Sequence, residues 1–276
     1  MFKEGQSVEL IPIFKTKKQE RFIVKISRGE KFSCKYGNIN LEELIGKDPG
    51  VVVETHLGYK FVALEPTLST KIRSRRIFNY KTQIIYPRDW GLIIAFSNIR
   101  SGSKIIEIGT GSGAFTAFLS EIVGEKGYIW SYDVDIDRLK TARKNLEMMV
   151  SLKNYTLKLY TEVEGITERN VDTVFIDIPE PWLHIKNAWR SLKPGGFLVI
   201  YVPTFNQVKK TLETLIKNAF VDIKVIEGFT REIQYKPYAI RPEMKGYLFS
   251  AFIIFSRKSF VIPKKLYDEL TKMEYV

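Results

Sequence analysis

The sequence predicts an α/β protein in which a small β-rich domain precedes a parallel, doubly wound sheet. Three observations carry this expectation. Short apolar runs alternate with amphipathic stretches from about residue 91 onward. The glycine-rich turn Gly109-Thr110-Gly111-Ser112-Gly113 joins the first of these runs to a helical stretch. Residues 1–68 carry β-branched and aromatic residues between turn signals and contain no strand–helix–strand unit.

In chain order, strands are expected over Val8 to Phe14, Arg21 to Ile26 and Gly50 to Ala63. Turns fall at Arg28-Gly29, Gly37-Asn38, Asp48-Pro49-Gly50 and Leu57-Gly58. Residues 69–90 read as a basic connector containing Arg73, Arg75 and Arg76. The domain spanning 91–276 then alternates. A helix over Trp90 to Ile99 leads to a strand over Lys104 to Ile108, a helix over Phe115 to Val123 and a strand over Tyr128 to Asp133. A helix over Asp137 to Met149 and strands over Thr156 to Tyr160 and Val171 to Ile178 follow. Next come a helix over Leu183 to Leu192, a turn at Pro194-Gly195-Gly196, a strand over Phe197 to Val202 and a helix over Gln207 to Ala219. Two last strands, Val221 to Gly228 and Phe249 to Ser256, have no helix between them, which predicts an antiparallel hairpin at the sheet edge. The whole reads as a Rossmann-like domain with a β-rich appendage.

Composition narrows the function classes. The hydrophobic fraction of 45% supports a buried core. The longest apolar run, Phe197 to Val202, is far short of the roughly 20 residues a membrane helix requires. With no apolar signal core at the start and one cysteine, Cys34, a soluble protein of the reducing cytoplasm is expected. His56 and His184 lack Cys partners, so no metal site is expected. Lys and Arg outnumber Asp and Glu by 43 to 31, a net charge of +12. Such an excess draws polyanions, although ion-pair-rich surfaces also produce it.

The segment Ile105 to Gly113 carries the cofactor signal. An apolar strand runs into three glycines at alternate positions, which lets backbone approach a ligand closely. Dinucleotide-binding folds use glycines here too, with GxGxxG spacing. The GxGxG spacing and the acid Glu107 before the loop favour S-adenosylmethionine (SAM), whose methionine amino group is cationic. Glu107 would act directly, through water, or by fixing the loop. The next strand ends at Asp133, roughly 20 residues on, where a carboxylate can accept from both ribose hydroxyls. Asp135 and Asp137 read as caps of the following helix. Glu162 stands where an acid would meet the adenine amine, or else is a solvated loop residue.

The fourth strand ends in Asp177-Ile178-Pro179-Glu180-Pro181-Trp182. Ligands of open α/β sheets bind outside the carboxyl ends of strands, so Asp177 is the candidate catalytic residue; the alternative is a helix cap. Methyl transfer to a ring nitrogen such as adenine N1 needs no strong base. A carboxylate beside the exocyclic amine gains strength as charge moves onto the base. Trp182, Tyr86 and Tyr201 are candidate stacking walls or plain pocket lining.

Together, Gln83-Ile84-Ile85-Tyr86-Pro87-Arg88-Asp89, the Glu107 to Gly113 segment and Asp177 to Trp182 resemble the tRNA (adenine-N1) methyltransferases acting on T-loop adenine 58. The likeness extends through Leu192 to Gly196, Asn206 to Val208, Val52 to Gly58 and Leu64 to Leu68. It implies a homotetramer, tRNA as substrate and methylation of adenine 58, with adenine 57 also modified in archaeal members. It carries the catalytic aspartate onto Asp177 and the ribose acid, usually Glu, onto Asp133. The SAM loop falls on Gly109, Thr110, Gly111, Ser112, Gly113, Ala114 and Phe115, with further contacts at Arg138 and Glu162. The family often carries Gly-His-Thr before the last strand, where this chain reads Lys245-Gly246-Tyr247-Leu248. Lys15, Lys17, Lys18 and Arg21, with Arg73, Arg75 and Arg76, then become candidate phosphate contacts. Two rivals remain. A protein isoaspartyl or small-molecule methyltransferase leaves the basic excess and the Asp177 to Trp182 segment unexplained. A non-catalytic tRNA-binding subunit would be expected to lose the glycines or the acids.

Overall fold

The computed structural model describes residues 1–14, 20–75, 77–79, 82–236, 238–242, 249–262 and 267–269. The basic cluster at Lys15, Lys17 and Lys18, together with Arg76 and the Lys245 to Leu248 segment, lies outside the described residues. The chain divides into two compact units, 1–80 and 81–276, a division that falls within the stretch 69–90.

The first unit is built from β1 (Ser7–Pro12), β2 (Phe22–Lys25), β3 (Lys31–Cys34), β4 (Gly37–Asn40), β5 (Val52–Glu54) and β6 (Lys60–Leu64). Strand β1 is central, antiparallel to β2 and to β6, and β5 closes the order β2-β1-β6-β5. Val8, Leu10, Ile26, Phe61 and Ala63 face inward and form its core with Leu41, Leu44 and Phe2. The β3–β4 hairpin was not expected as strands, since each run is only four residues long. It turns at Gly37, whose φ of 108° and close approach to the His56 ring exclude a side chain. His56 Nδ1 accepts from the Asn38 amide at 2.9 Å, which gives this histidine a structural use. A short helix, α1 (Leu68–Arg73), capped by the Thr67 hydroxyl, ends the unit.

The second unit has the α/β fold class expected from the sequence. It contains α2 (Pro87–Ser97), β7 (Lys104–Ile108), α3 (Ala114–Val123), β8 (Tyr128–Asp133), α4 (Ile136–Met149), β9 (Tyr155–Leu159) and β10 (Val171–Ile176). Then follow α5 (Ile185–Ser191), β11 (Leu192–Val202), α6 (Phe205–Lys217), β12 (Phe220–Glu227), β13 (Ile233–Lys236), β14 (Ala239–Pro242) and β15 (Phe252–Lys258). Seven strands form one sheet in the order β12-β15-β11-β10-β7-β8-β9. Neighbours β7, β8, β9, β10 and β11 are parallel, and β15 is antiparallel to both β11 and β12. Alternation along the strands sends Ile106, Ile108, Val174, Ile176, Leu198 and Ile200 into one core layer with Ile185 and Ala188 of α5 and Leu215 of α6. Phe175, at an intervening position, meets Phe115 of α3 with ring centroids 4.5 Å apart.

Two expectations change in detail. The final pair is antiparallel as expected, yet β15 lies inside the sheet and only β12 is at the edge. Composition explains the order: Phe252 to Ser256 are buried throughout, whereas β12 exposes Asp222, Lys224, Val225 and Glu227. Between these strands a separate ribbon, β13–β14, pairs only with itself among the described residues. The expected turn at Pro194-Gly195-Gly196 is a bulge within β11, where residues 193–196 stand against Asp172 alone.

Asn154, buried ahead of β9, closes the C-terminus of α3. Its Nδ2 donates to the Ser120 and Gly124 carbonyls at 3.0 and 2.8 Å, and its Oδ1 accepts from the Ser120 hydroxyl. Asn154→Ala removes three hydrogen bonds and leaves the Ser120 hydroxyl without its acceptor, although the Ser120 and Gly124 carbonyls keep the Gly124 and Gly127 amides. It should lower unfolding free energy by about 2 kcal/mol in denaturant melts. A change below about 0.5 kcal/mol would show that this cap contributes nothing.

Candidate active site

The site is built where β7, β8, β10 and β11 end together. The turn after β7 has three glycines with positive φ: 104° at Gly109, 55° at Gly111 and 80° at Gly113. At Gly109 the requirement is steric as well as conformational. A Cβ there would lie 2.1 Å from the Asp177 carbonyl oxygen. The ends of β7 and β10 therefore touch backbone to backbone, and the Asp177 amide donates to the Ile108 carbonyl at 2.9 Å. Gly113 packs on Ala142 of α4, which draws the loop down toward that helix.

Polar side chains in the loop are largely occupied in holding it. The Thr110 hydroxyl meets Ser131 at 2.6 Å, and Ser112 meets Thr82 at 3.1 Å. Asn145 donates to the Ser112 carbonyl at 2.8 Å. Ala114 and Phe115 are buried as α3 begins. What the loop offers a ligand is mainly its backbone and the acids around it.

Three acids converge here. Glu107 is buried, and its Oε2 accepts from the Thr116 and Ser131 hydroxyls at 2.5 and 2.6 Å. Burial first, then the charges of Asp177 and Asp133, raise its pKa to about 7 against these two hydrogen bonds. Asp133, 5% exposed, accepts the Gly111 amide at 2.9 Å through Oδ2 and the Asp135 amide at 3.0 Å through Oδ1. Asp135 caps α4 through the amides of Asp137 and Arg138. The Arg138 guanidinium lies 3.8 Å from Asp133 and 3.3 Å from Asp135. Asp177 retains some open surface at the sheet's rim, but its carboxyl is enclosed enough for desolvation alone to raise its pKa to about 7.

The remaining candidates are more scattered. Glu162 is exposed in the turn after β9. Trp182 is half-buried against the core layer of α5 and α6, with the Lys210 ammonium 4.0 Å from its ring centroid. Gln207 donates to the Pro179 carbonyl at 2.9 Å and so ties α6 to the Asp177 loop. Tyr86 caps α2 half-buried, its hydroxyl accepting from Gln83 at 3.0 Å. Arg73 and Arg75 are exposed on the first unit. Tyr201 is 9% exposed at the end of β11, and its hydroxyl donates to Asp89 at 2.8 Å. Sequence reasoning missed Asp89, Ser250 and Thr82 as parts of this end of the sheet. The Tyr86-Pro87-Arg88-Asp89 run was the available signal for Asp89. Among the described residues, no group of three His, Cys, Asp or Glu is placed to hold a metal ion.

The profile of the family described as tRNA methyltransferase complex GCD14 subunit matches residues 66–245. The chain belongs to this family. A relative in Methanocaldococcus jannaschii, the tRNA (adenine(57)-N(1)/adenine(58)-N(1))-methyltransferase TrmI, is 32% identical over 86% of this chain and 91% of its own length. The crystal structure of tRNA (m1A58) methyltransferase TrmI from Aquifex aeolicus superposes with a TM-score of 0.78 at 31% identity, covering 94% of this chain and 99% of that one. A structure from Thermotoga maritima, described as a SAM-dependent O-methyltransferase, gives a TM-score of 0.84 at 32% identity over 94% and 95% of the two chains. This GCD14-family chain therefore has the α/β fold of the SAM-dependent methyltransferases, with the acids and glycines at the carboxyl ends of its strands.

The raised pKa values have a stability consequence. Glu107 and Asp177 have ordinary values of 4.5 and 3.8, below their folded values of about 7. Their stabilising contribution is complete below about pH 4 and is lost as pH rises to about 7. Relative to the wild type, Asp177→Asn should become progressively more stable over that window in pH-resolved denaturant melts. A difference that stays constant with pH would mean that the Asp177 carboxyl is not desolvated.

Proposed function

We propose that the protein is a SAM-dependent tRNA methyltransferase that modifies N1 of adenine 58, and of adenine 57 as well, in the T-loop. The single observation that carries the reading is the contact between the Gly109 backbone and Asp177, which sets a desolvated carboxyl against a glycine loop of SAM-binding spacing. The chain's relatives supply the acceptor, and its net charge of +12 suits a polyanion.

The residues fit the cofactor. Asp133 still has lone pairs for a ribose diol after accepting two amides, and Glu107, Asp133 and Asp177 make the loop attractive to a cation. We assign cofactor contacts to Glu107, Asp133, Arg138, Glu162, Asp177 and the loop from Gly109 to Phe115. When bound, SAM supplies a methyl group activated on a sulfonium. Glu107 fixes the loop through the hydroxyls of Thr116 and Ser131, which is the indirect form of its expected role. Asp177 accepts a hydrogen bond from the exocyclic amine of the base, and that bond strengthens as positive charge develops on the ring. No base is required before attack, because N1 already carries a free pair. The target base must leave its stack to reach Asp177. Tyr86 and Trp182 line its path, and Arg73, Arg75 and Arg76 contribute phosphate contacts from the basic stretch 69–90.

We also infer assembly as a homotetramer in the cytoplasm. The β13–β14 ribbon supports self-association: Ile233, Tyr238 and Ile240 are more than half exposed, and a lone two-stranded hairpin is at best marginal in water. Sedimentation should report a tetramer, with Ile240→Lys shifting it toward smaller species. A monomeric wild type would exclude this assembly.

The deciding assay incubates unmodified tRNA with the protein and labelled SAM and maps reverse-transcription stops. Stops at T-loop adenines establish N1 methylation, because a methyl there blocks the pairing edge. Labelled tRNA without stops favours an oxygen acceptor, the reading that the Thermotoga maritima neighbour's description supports. Asp177→Ala should lower turnover by roughly 100-fold or more while SAM still binds. Asp133→Ala should chiefly weaken SAM. A near-normal rate in the first variant, or unchanged SAM affinity in the second, removes that residue from its role.

A further inference from the structure

Asp89 is the third residue of α2 and has no exposed surface. A buried carboxylate is costly unless donors converge on it, and an apolar side chain would seal a helix against a sheet more cheaply. Here Oδ2 accepts the Tyr201 hydroxyl at 2.8 Å and the Ser250 hydroxyl at 2.7 Å, and Arg88 Nε lies 3.8 Å from Oδ1. Gly228 closes the remaining side, where a Cβ would come within 2.9 Å of Oδ1. Four separate stretches of chain thus meet at one carboxylate: α2, the end of β11, the residue pair before β15 and the turn after β12.

The convergence is next to the chemistry. Tyr201 is the penultimate residue of β11, and because Ile200 pairs in parallel with Ile176, Tyr201 and Asp177 follow paired residues at adjacent strand ends. We propose that Asp89 is a positioning residue that, with Ser250, fixes the Tyr201 phenol beside Asp177 as a hydrogen-bond acceptor for the base being methylated. The single phenolic proton is committed to Asp89, so the oxygen has only lone pairs for anything on its other side. Burial and the neighbouring carboxylates hold the phenol's pKa far above its usual value, so that proton stays in place. An acceptor at this point suits an exocyclic amine, as in adenine, and repels the carbonyl that replaces it in an oxo-purine.

The proposal rests on the tRNA reading, and a double-mutant cycle tests it. Initial rates on unmodified tRNA are compared for wild type, Asp89→Asn, Tyr201→Phe and the double variant, with SAM affinity measured in parallel. Misplacing a group near the reacting atoms lowers kcat by about 10- to 100-fold, and Asp89→Asn and Tyr201→Phe should each fall in that range with SAM affinity within twofold of wild type. The double variant should be no slower than the slower single variant, because Asp89 acts through Tyr201. Independent, multiplying losses would overturn the proposal, as would wild-type kcat in Asp89→Asn. Ser250→Ala serves the same cycle if Asp89→Asn does not fold: its loss in kcat should vanish in the Tyr201→Phe background, and persistence there counts against the proposal. A wild type that leaves tRNA unmethylated defeats the substrate reading, whereas an active wild type with a silent Asp89→Asn defeats this one alone.

Discussion

The arrangement of this site depends on a side chain that is not there. Gly109 has room for a hydrogen and nothing more, because the Asp177 carbonyl occupies the space that a methyl group would take. That contact brings the ends of β7 and β10 into register at the rim of the sheet, and it sets the distance between the ligand loop and the acid that follows β10. The amide of Asp177 then bonds back to Ile108, so the approach is locked from both directions.

The closeness has an electrostatic cost. Three carboxyl groups crowd one loop, and the structure meets that cost in different ways. Asp133 is satisfied by two backbone amides and an arginine. Glu107 is satisfied by two hydroxyls but remains desolvated, and Asp177 has little besides burial acting on it. A cation arriving at this loop relieves both of the last two at once. Carboxyls kept desolvated in this way are typical of groups held for function rather than for stability.

Much of this was legible in the sequence. The strands Lys104 to Ile108 and Tyr128 to Asp133 match β7 and β8 residue for residue, because each is a run rich in β-branched or aromatic residues cut off by an unambiguous turn or cap. The position of Asp177 at a strand end was readable from the apolar run before it and the proline-stiffened loop after it. Harder to read were features set by distant pairing. Lys31–Cys34 and Gly37–Asn40 are too short to show a period. The interior position of β15 depends on a comparison of its burial with that of β12, two strands that look alike in isolation. Asp89 reads as an ordinary first-turn acid of α2, and only the fold brings it to Tyr201 and Ser250, which are 112 and 161 residues away.

The inserted last strand bears on how the molecule is made. Strand β15 fills the gap between β11 and β12 and also packs against α2, so the middle of the sheet stays open until the final segment of the domain has been synthesised. Up to that moment β11 and β12 each present an unpaired edge flanked by apolar side chains, a surface on which nascent chains can pair wrongly or be captured by chaperones. Because Ser250 lies only two residues ahead of β15, the step that closes the sheet also completes the cluster around Asp89. A chain that has not finished folding therefore lacks the Ser250 hydroxyl bond that completes the cluster around Asp89.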